Sequence, residues 1–222
     1  MSRNLSKPIL YLITRGATSE ISSRESPEFR AILLQIKAAT AAQIEFVQIR
    51  EKKLRARVLF QLAELAVQIA EASSTRILIN DRADIVAGAG AHGVHLTTQS
   101  LDAGVIRKNF GDELLIGVST HSAEEAKQAY EGGANFVVFG PIFRTHSKEQ
   151  FGPPQGLQEL SAVSDKLAGF PVLALGGVSQ TNAQQCLKAG ASGVAGISLF
   201  SDPAGLGNVA AAIRESAQGV AR

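Results

Sequence analysis

Tryptophan is absent from this chain, and cysteine and methionine occur once each. A single thiol excludes an internal disulfide framework and fits a reducing compartment. Aromatic residues make up only 5% of the sequence, too few for a base-stacking surface. An excess of charge of one sign is missing as well. The 22 Lys and Arg nearly balance the 20 Asp and Glu, and the net charge is +2. No global basic field draws the protein to nucleic acid or to a membrane, so any basic site is local. No apolar run is long enough to span a bilayer, and the first residues carry no signal-peptide core. No Cys/His cluster supports zinc, and no nucleophile elbow precedes a Ser-His-Asp order. The sequence also lacks a pair of carboxylates placed to enolise a carbonyl. These absences point to a cytoplasmic protein with small-molecule partners, no nucleic acid and no membrane.

Apolar residues account for 45% of the 222 positions, enough for a sizeable core. They fall into short unalternating runs, which suit strands buried on both faces of a parallel sheet. Such strands are expected at 8–14, 44–50, 76–80, 93–96, 114–119, 135–140, 171–175 and 193–197. Helical spacing is expected between them, at 29–40, 55–72, 84–88, 102–109, 157–167 and 179–189. Ser122 to Glu125 reads as a capping box, and Asp202-Pro203 as the start of a last helix. Cys186 lies in one of these helical stretches and is expected to be a buried apolar side chain. Gly-Ala pairs recur at the helix-to-strand turns 90–93, 133–136 and 190–193, which supports equivalent units. The chain shows no linker and no shift in composition. The expectation is α/β, a single-domain (β/α)8 TIM barrel over residues 1–222. An open doubly wound sheet would call for a Gly-rich dinucleotide turn after the first strand, and 14–17 is not one.

In such barrels the chemistry sits at the C-terminal ends of the strands. Standing there are Gln48, Arg50 and Lys52, Asn80 and Asp81, His95, Ser119 and His121, Gly176 and Gly177, Ile197 and Ser198. The long loop 140–155 adds Thr145, Ser147 and Lys148, two hydroxyls and an ammonium that can all donate to phosphate oxygens. Taken singly, each has an ordinary structural reading: a solvated strand end, a turn pair, a core histidine. As a set they are polar groups where folding requires none. Cations, hydroxyls and glycines that let a backbone come close suggest more than one phosphate group. Asp81 can supply one carboxylate to Mg²⁺, which usually takes one or two carboxylates plus substrate phosphates.

Six stretches carry a family resemblance. Gln48-Ile49-Arg50-Glu51-Lys52, Ile79-Asn80-Asp81-Arg82, Gly93-Val94-His95-Leu96, Gly117-Val118-Ser119-Thr120-His121, 140–148 and Ala174-Leu175-Gly176-Gly177-Val178 together resemble thiamine phosphate synthase. The match runs in order from about 10 to 200. It implies an enzyme that joins hydroxymethylpyrimidine diphosphate to thiazole phosphate and releases diphosphate. On that resemblance Gln48, Arg50, Lys52 and Asn80 hold the pyrimidine diphosphate, with Ser119 and Lys148 against the same substrate. Thr145 to Ser147, Gly177 and Ile197-Ser198 cradle the thiazole phosphate, with Gly176 beside them. Arg50, Lys52, Lys148, Ser119 and His121 form the implied catalytic set, Asp81 the metal ligand, and Mg²⁺ the cofactor. One departure stands out. The family usually reads Gly-Gln-x-Asp after His95-Leu96 and uses that Asp as a second metal ligand, whereas this chain has Ser100 there, with Asp102 two residues on. The related thiazole tautomerase (TenI-type) shares the barrel and lacks that carboxylate. It is the alternative, with His121 as its proton-transfer residue, and a non-catalytic phosphate-ligand binder is the third. The oligomeric state is open, a homo-oligomer included.

Overall fold

Strand-helix repetition governs the architecture. The computed structural model describes residues 8–144 and 153–218. Strands β1 (Ile9–Ile13), β2 (Phe46–Ile49), β3 (Arg76–Asn80), β4 (Gly93–Leu96), β5 (Leu115–Thr120), β6 (Phe136–Phe139), β7 (Val172–Ala174) and β8 (Gly193–Gly196) close into one parallel barrel in chain order. Helices α1 (Pro27–Ala41), α2 (Ala56–Ala70), α3 (Ala83–Ala89), α4 (Ala103–Phe110), α5 (Ala123–Glu131), α6 (Gly156–Lys166), α7 (Ala183–Lys188) and α8 (Leu206–Gln218) follow the strands in turn. This is the expected (β/α)8 barrel.

Successive strand residues face opposite sides, so each strand feeds two cores. Outward residues such as Leu10, Leu12, Val47, Ile49, Ile77 and Ile79 pack under the helices. Inward residues, among them Tyr11, Ile13, Leu78, Phe136, Val138, Leu173 and Ala195, fill the lumen. An aromatic plug lies in that lumen. The Phe46 and Phe136 rings stack at 5.0 Å, and Tyr11 meets both edge-on. Gly117 makes room for it: a Cβ there would lie 2.3 Å from Phe136 Cζ and 2.9 Å from His95 Nδ1. The seam between first and last units is clasped at the other end. Arg214 of α8 donates to the carbonyls of Ala42 and Gln43 and to Glu45, whose other oxygen accepts from the Leu10 amide.

Two helices begin later than their capping signals suggest. Ser179 accepts from the Asn182 amide and Asn182 Oδ1 accepts from the Ser179 amide, which closes a turn ahead of α7. Asp202 accepts from the amides of Ala204 and Gly205, again capping a turn, and α8 starts only at Leu206. At α5 the box is shifted by a residue. Ser122 accepts from the Glu125 amide, but Glu125 reaches back to the His121 amide rather than to Ser122. Cys186 is fully buried, as expected, and burial pushes its thiol up to about 12.

Gly117→Ala tests the plug. Overpacking a dense core costs about 1–3 kcal/mol, which for a domain of this size lowers the melting temperature by roughly 2–10 °C. A melting curve unchanged from wild type would mean that Phe136 can leave the lumen freely.

Candidate active site

The inward parity of β2 continues past the strand, so Phe46, Gln48 and Arg50 rise in sequence from the plug to the mouth. Gln48 is buried, and its Nε2 donates to Asn80 Oδ1 at 3.0 Å. That orientation leaves Gln48 Oε1 buried without a partner among the described residues. Buried acceptors are rarely left bare in a folded protein. Arg50 is half-buried at the mouth and Lys52 is exposed. Neither makes an ion pair among the described residues. Lys52, Asn80 and Asp81 line one cleft of about 290 Å³. Asp81 adopts a left-handed backbone, φ 61°, and its amide donates to the His95 carbonyl. The turn from β3 into α3 thereby projects the Asp81 side chain to solvent beside Lys52.

Ser119 stands on the opposite wall. His95 Nε2 is 2.8 Å from Ser119 Oγ, and His95 Nδ1 is 3.1 Å from the Tyr11 hydroxyl. Burial, followed by the nearby Arg50 charge, lowers the His95 pKa to about 3, and burial holds Tyr11 well above its ordinary value. Both groups are therefore neutral near pH 7. His121 is turned differently. Its Nδ1 lies 2.5 Å from the Gly140 carbonyl, which can only accept, so Nδ1 carries the proton and ties β5 to the end of β6.

The glycine pair after β7 carries the stem of the long loop. Gly176 and Gly177 have φ of 96° and 65°. A Cβ on Gly176 would lie 2.5 Å from Pro141, and one on Gly177 2.7 Å from the Arg144 carbonyl. The Ile142 and Phe143 amides donate to the Leu175 and Gly176 carbonyls, and the Gln155 and Gly156 amides to Pro141 and Ile142. Both ends of the loop are thus pinned beside β7. Thr145, Ser147 and Lys148 lie outside the described residues. Ile197 sits half-buried at the end of β8, and Ser198 opens a short 3-10 turn, Ser198–Phe200.

Ser100 is held in the turn after β4: its Oγ accepts from the Thr97 amide at 2.7 Å. Asp102 lines a second cleft, of about 530 Å³, with Ser100, Ser119, Thr120 and Glu125. It does not share the cleft of Asp81. Among the described residues no group of three or more His, Cys, Asp or Glu could hold a metal. Asp81 alone still fits a Mg²⁺ that is held mainly by substrate phosphates and water.

Residues 10–200 match the thiamine monophosphate synthase family. The chain belongs to that family. A thiamine-phosphate synthase of Chlorobium phaeobacteroides is 36% identical over 202 residues, covering 90% of this chain and 92% of that one. One from Roseiflexus castenholzii is 34% identical over 194 residues, covering 87% and 85%. The solved thiamine phosphate pyrophosphorylase of Pyrococcus furiosus superposes with a TM-score of 0.77 at 26% identity, over 98% of both chains. The family resemblance, the barrel and the enzyme class read from the sequence therefore stand.

Sequence reasoning passed over two family-site neighbours. Glu51 is buried and accepts from the Thr14 and Thr18 hydroxyls and from the Gly16 and Thr18 amides. It fastens the β1–α1 loop between Arg50 and Lys52, and nothing local in the sequence marks it as a buried acceptor. Tyr11 is hidden inside an apolar run, where only its inward parity marks it.

The His95 environment sets a pH dependence. Between about 3 and the ordinary 6.5 the unfolded chain binds a proton that folded His95 refuses. The unfolded state then holds more protons, so stability falls as pH drops through that window. Urea unfolding of His95→Gln should lose less stability between about pH 7 and 4 than wild type does. Parallel losses in the two proteins would show that His95 is not held neutral. A second expectation concerns Glu51. Glu51→Gln turns an amide toward a donor that needs an acceptor, and should cost about 2–4 kcal/mol in the same assay; a loss below about 0.5 kcal/mol would contradict the buried-carboxylate role.

Proposed function

We propose that this enzyme joins hydroxymethylpyrimidine diphosphate to thiazole phosphate, giving thiamine phosphate and diphosphate. The observation that carries the reading is the cleft of Lys52, Asn80 and Asp81, with Arg50 at the mouth above Gln48. It offers charge neutralisation and hydrogen-bond donors, and its nearest histidine, His95, is too weak a base to take a proton near neutral pH. Departure of diphosphate needs that provision: negative charge builds on the leaving oxygens, and preorganised cations stabilise it. Arg50 and Lys52 would hold the diphosphate, with Lys148 completing the cation set from the loop. Mg²⁺, carried by Asp81 and the diphosphate oxygens, would supply further charge neutralisation. Gln48 Oε1, the bare acceptor, would take a donor from the pyrimidine, and Ser119 would contact the same ring. The stem at Gly176-Gly177 would bring Thr145 and Ser147 to the thiazole phosphate, with Ile197-Ser198 across from them. Both substrates are soluble phosphate esters, in keeping with a cytoplasmic reaction. No helix among the described residues is long and apolar enough to cross a membrane.

A second reading rests on His121. With Nδ1 committed to Gly140, its Nε2 is left as a base, which a thiazole tautomerase would use.

The deciding assay is product formation from the two phosphorylated substrates with Mg²⁺ or with EDTA. Thiamine phosphate should form with Mg²⁺ and fall to background with EDTA. Arg50→Ala and Lys148→Ala should each lower kcat/KM by on the order of a hundredfold or more, the scale of losing one charge-stabilising group. His121→Ala should lower it less than about tenfold. Product formation unaffected by EDTA and by both cation variants would overturn the assignment. No product, together with conversion of the thiazole carboxylate phosphate tautomer, would transfer it to the tautomerase.

A further inference from the structure

Beneath the mouth, three hydroxyl and imidazole groups stand in line across the lumen: Tyr11 on β1, His95 on β4 and Ser119 on β5. Tyr11 is fully buried, and His95 Nδ1 is its hydroxyl's partner among the described residues. The Tyr11 phenol has one proton to place and, among the described residues, one acceptor within reach. If Nδ1 carried the imidazole proton, that phenol would be a buried donor with nowhere to donate, the more costly arrangement. Nδ1 therefore accepts from Tyr11, and the ring proton sits on Nε2. Nε2 then donates to Ser119 Oγ at 2.8 Å. Having accepted from the ring side, the Ser119 hydroxyl turns its own proton away from His95, and Ser119 is only half-buried, toward the mouth.

The geometry points to Tyr11 as a positioning residue that, through His95, fixes the Ser119 hydroxyl as a hydrogen-bond donor to an acceptor atom of the pyrimidine substrate. The role of the donor rests on the synthase reading; the direction of the relay does not. Gly117 and the aromatic plug maintain the line, since a side chain at 117 would strike both Phe136 and His95. A ring whose tautomer is chosen by one hydrogen bond passes that choice to the other nitrogen.

Two measurements test this separately. Long-range ¹H–¹⁵N correlation spectra of the ligand-free protein, with His95 assigned from His95→Gln, should show the Nε2–H tautomer. In Tyr11→Phe the Nδ1 resonance should move downfield, to the position of an acceptor nitrogen that has lost its hydrogen bond, while the proton stays on Nε2. An Nδ1–H ring in the wild type, or an Nδ1 resonance unmoved by Tyr11→Phe, overturns the relay. Kinetically, Tyr11→Phe should lower kcat/KM for the pyrimidine diphosphate about tenfold and leave KM for thiazole phosphate unchanged. In a Ser119→Ala background the same change should cost less than about twofold. An undiminished tenfold loss in that background overturns the proposal, since Tyr11 would then act through packing. If even the wild type forms no thiamine phosphate, the synthase reading fails while the tautomer spectra still decide the relay.

Discussion

Phe46 stacked on Phe136 in the barrel lumen is the contact on which the rest of the site stands. Eight strands enclose a space just wide enough for side chains, and here two phenyl rings and the Tyr11 ring occupy its middle. Aromatic pairs in such offset and edge arrangements add to the burial of their area. A solid floor lets the next inward residue of each strand be polar. Gln48, Asn80, His95 and Ser119 all stand directly above it, each with its orientation set by a neighbour rather than by water.

Above this floor the charges are arranged by depth. The neutral amides and the neutral imidazole are buried, Arg50 is half-buried, and Lys52 and Asp81 are exposed. That gradient follows from desolvation: an unpaired charge at the depth of Gln48 would be costly, whereas at the mouth it keeps water until a ligand arrives. Glu51 is the exception that proves compatible with the rule. It is buried as a carboxylate because four donors from the β1–α1 loop surround it.

Much of this was legible in the sequence, for physical reasons that differ from place to place. The strands 76–80 and 93–96 coincide with the observed β3 and β4 because buried parallel strands are written as apolar runs with abrupt ends. The starts of α7 and α8 were misread because a hydroxyl or carboxylate that caps a turn has the same local signature as one that caps a helix. The mouth residues Gln48, Arg50, Asn80 and Ser119 could be found by parity and by resemblance together. Tyr11 could not: its hydroxyl matters only through His95, 84 positions away. The pairing of Ser100 with the Thr97 amide likewise depends on a turn that composition does not reveal.

The clasp between Arg214 and the Ala42–Glu45 turn has a consequence for how the molecule is made. Synthesis delivers β1 first and β8 last, yet β1 pairs with β8 along four residue positions and its edge amide at Leu10 is bonded to the clasp. While the ribosome is still adding the later units, the edge of β1 has no strand to pair with, and the Glu45 carboxylate has no guanidinium. An unpaired strand edge invites wrong partners. The sheet has no partner for that edge until β8 is made, and the clasp forms only once α8 follows it, so the seam rests on the contacts most distant in sequence, the kind that slow folding.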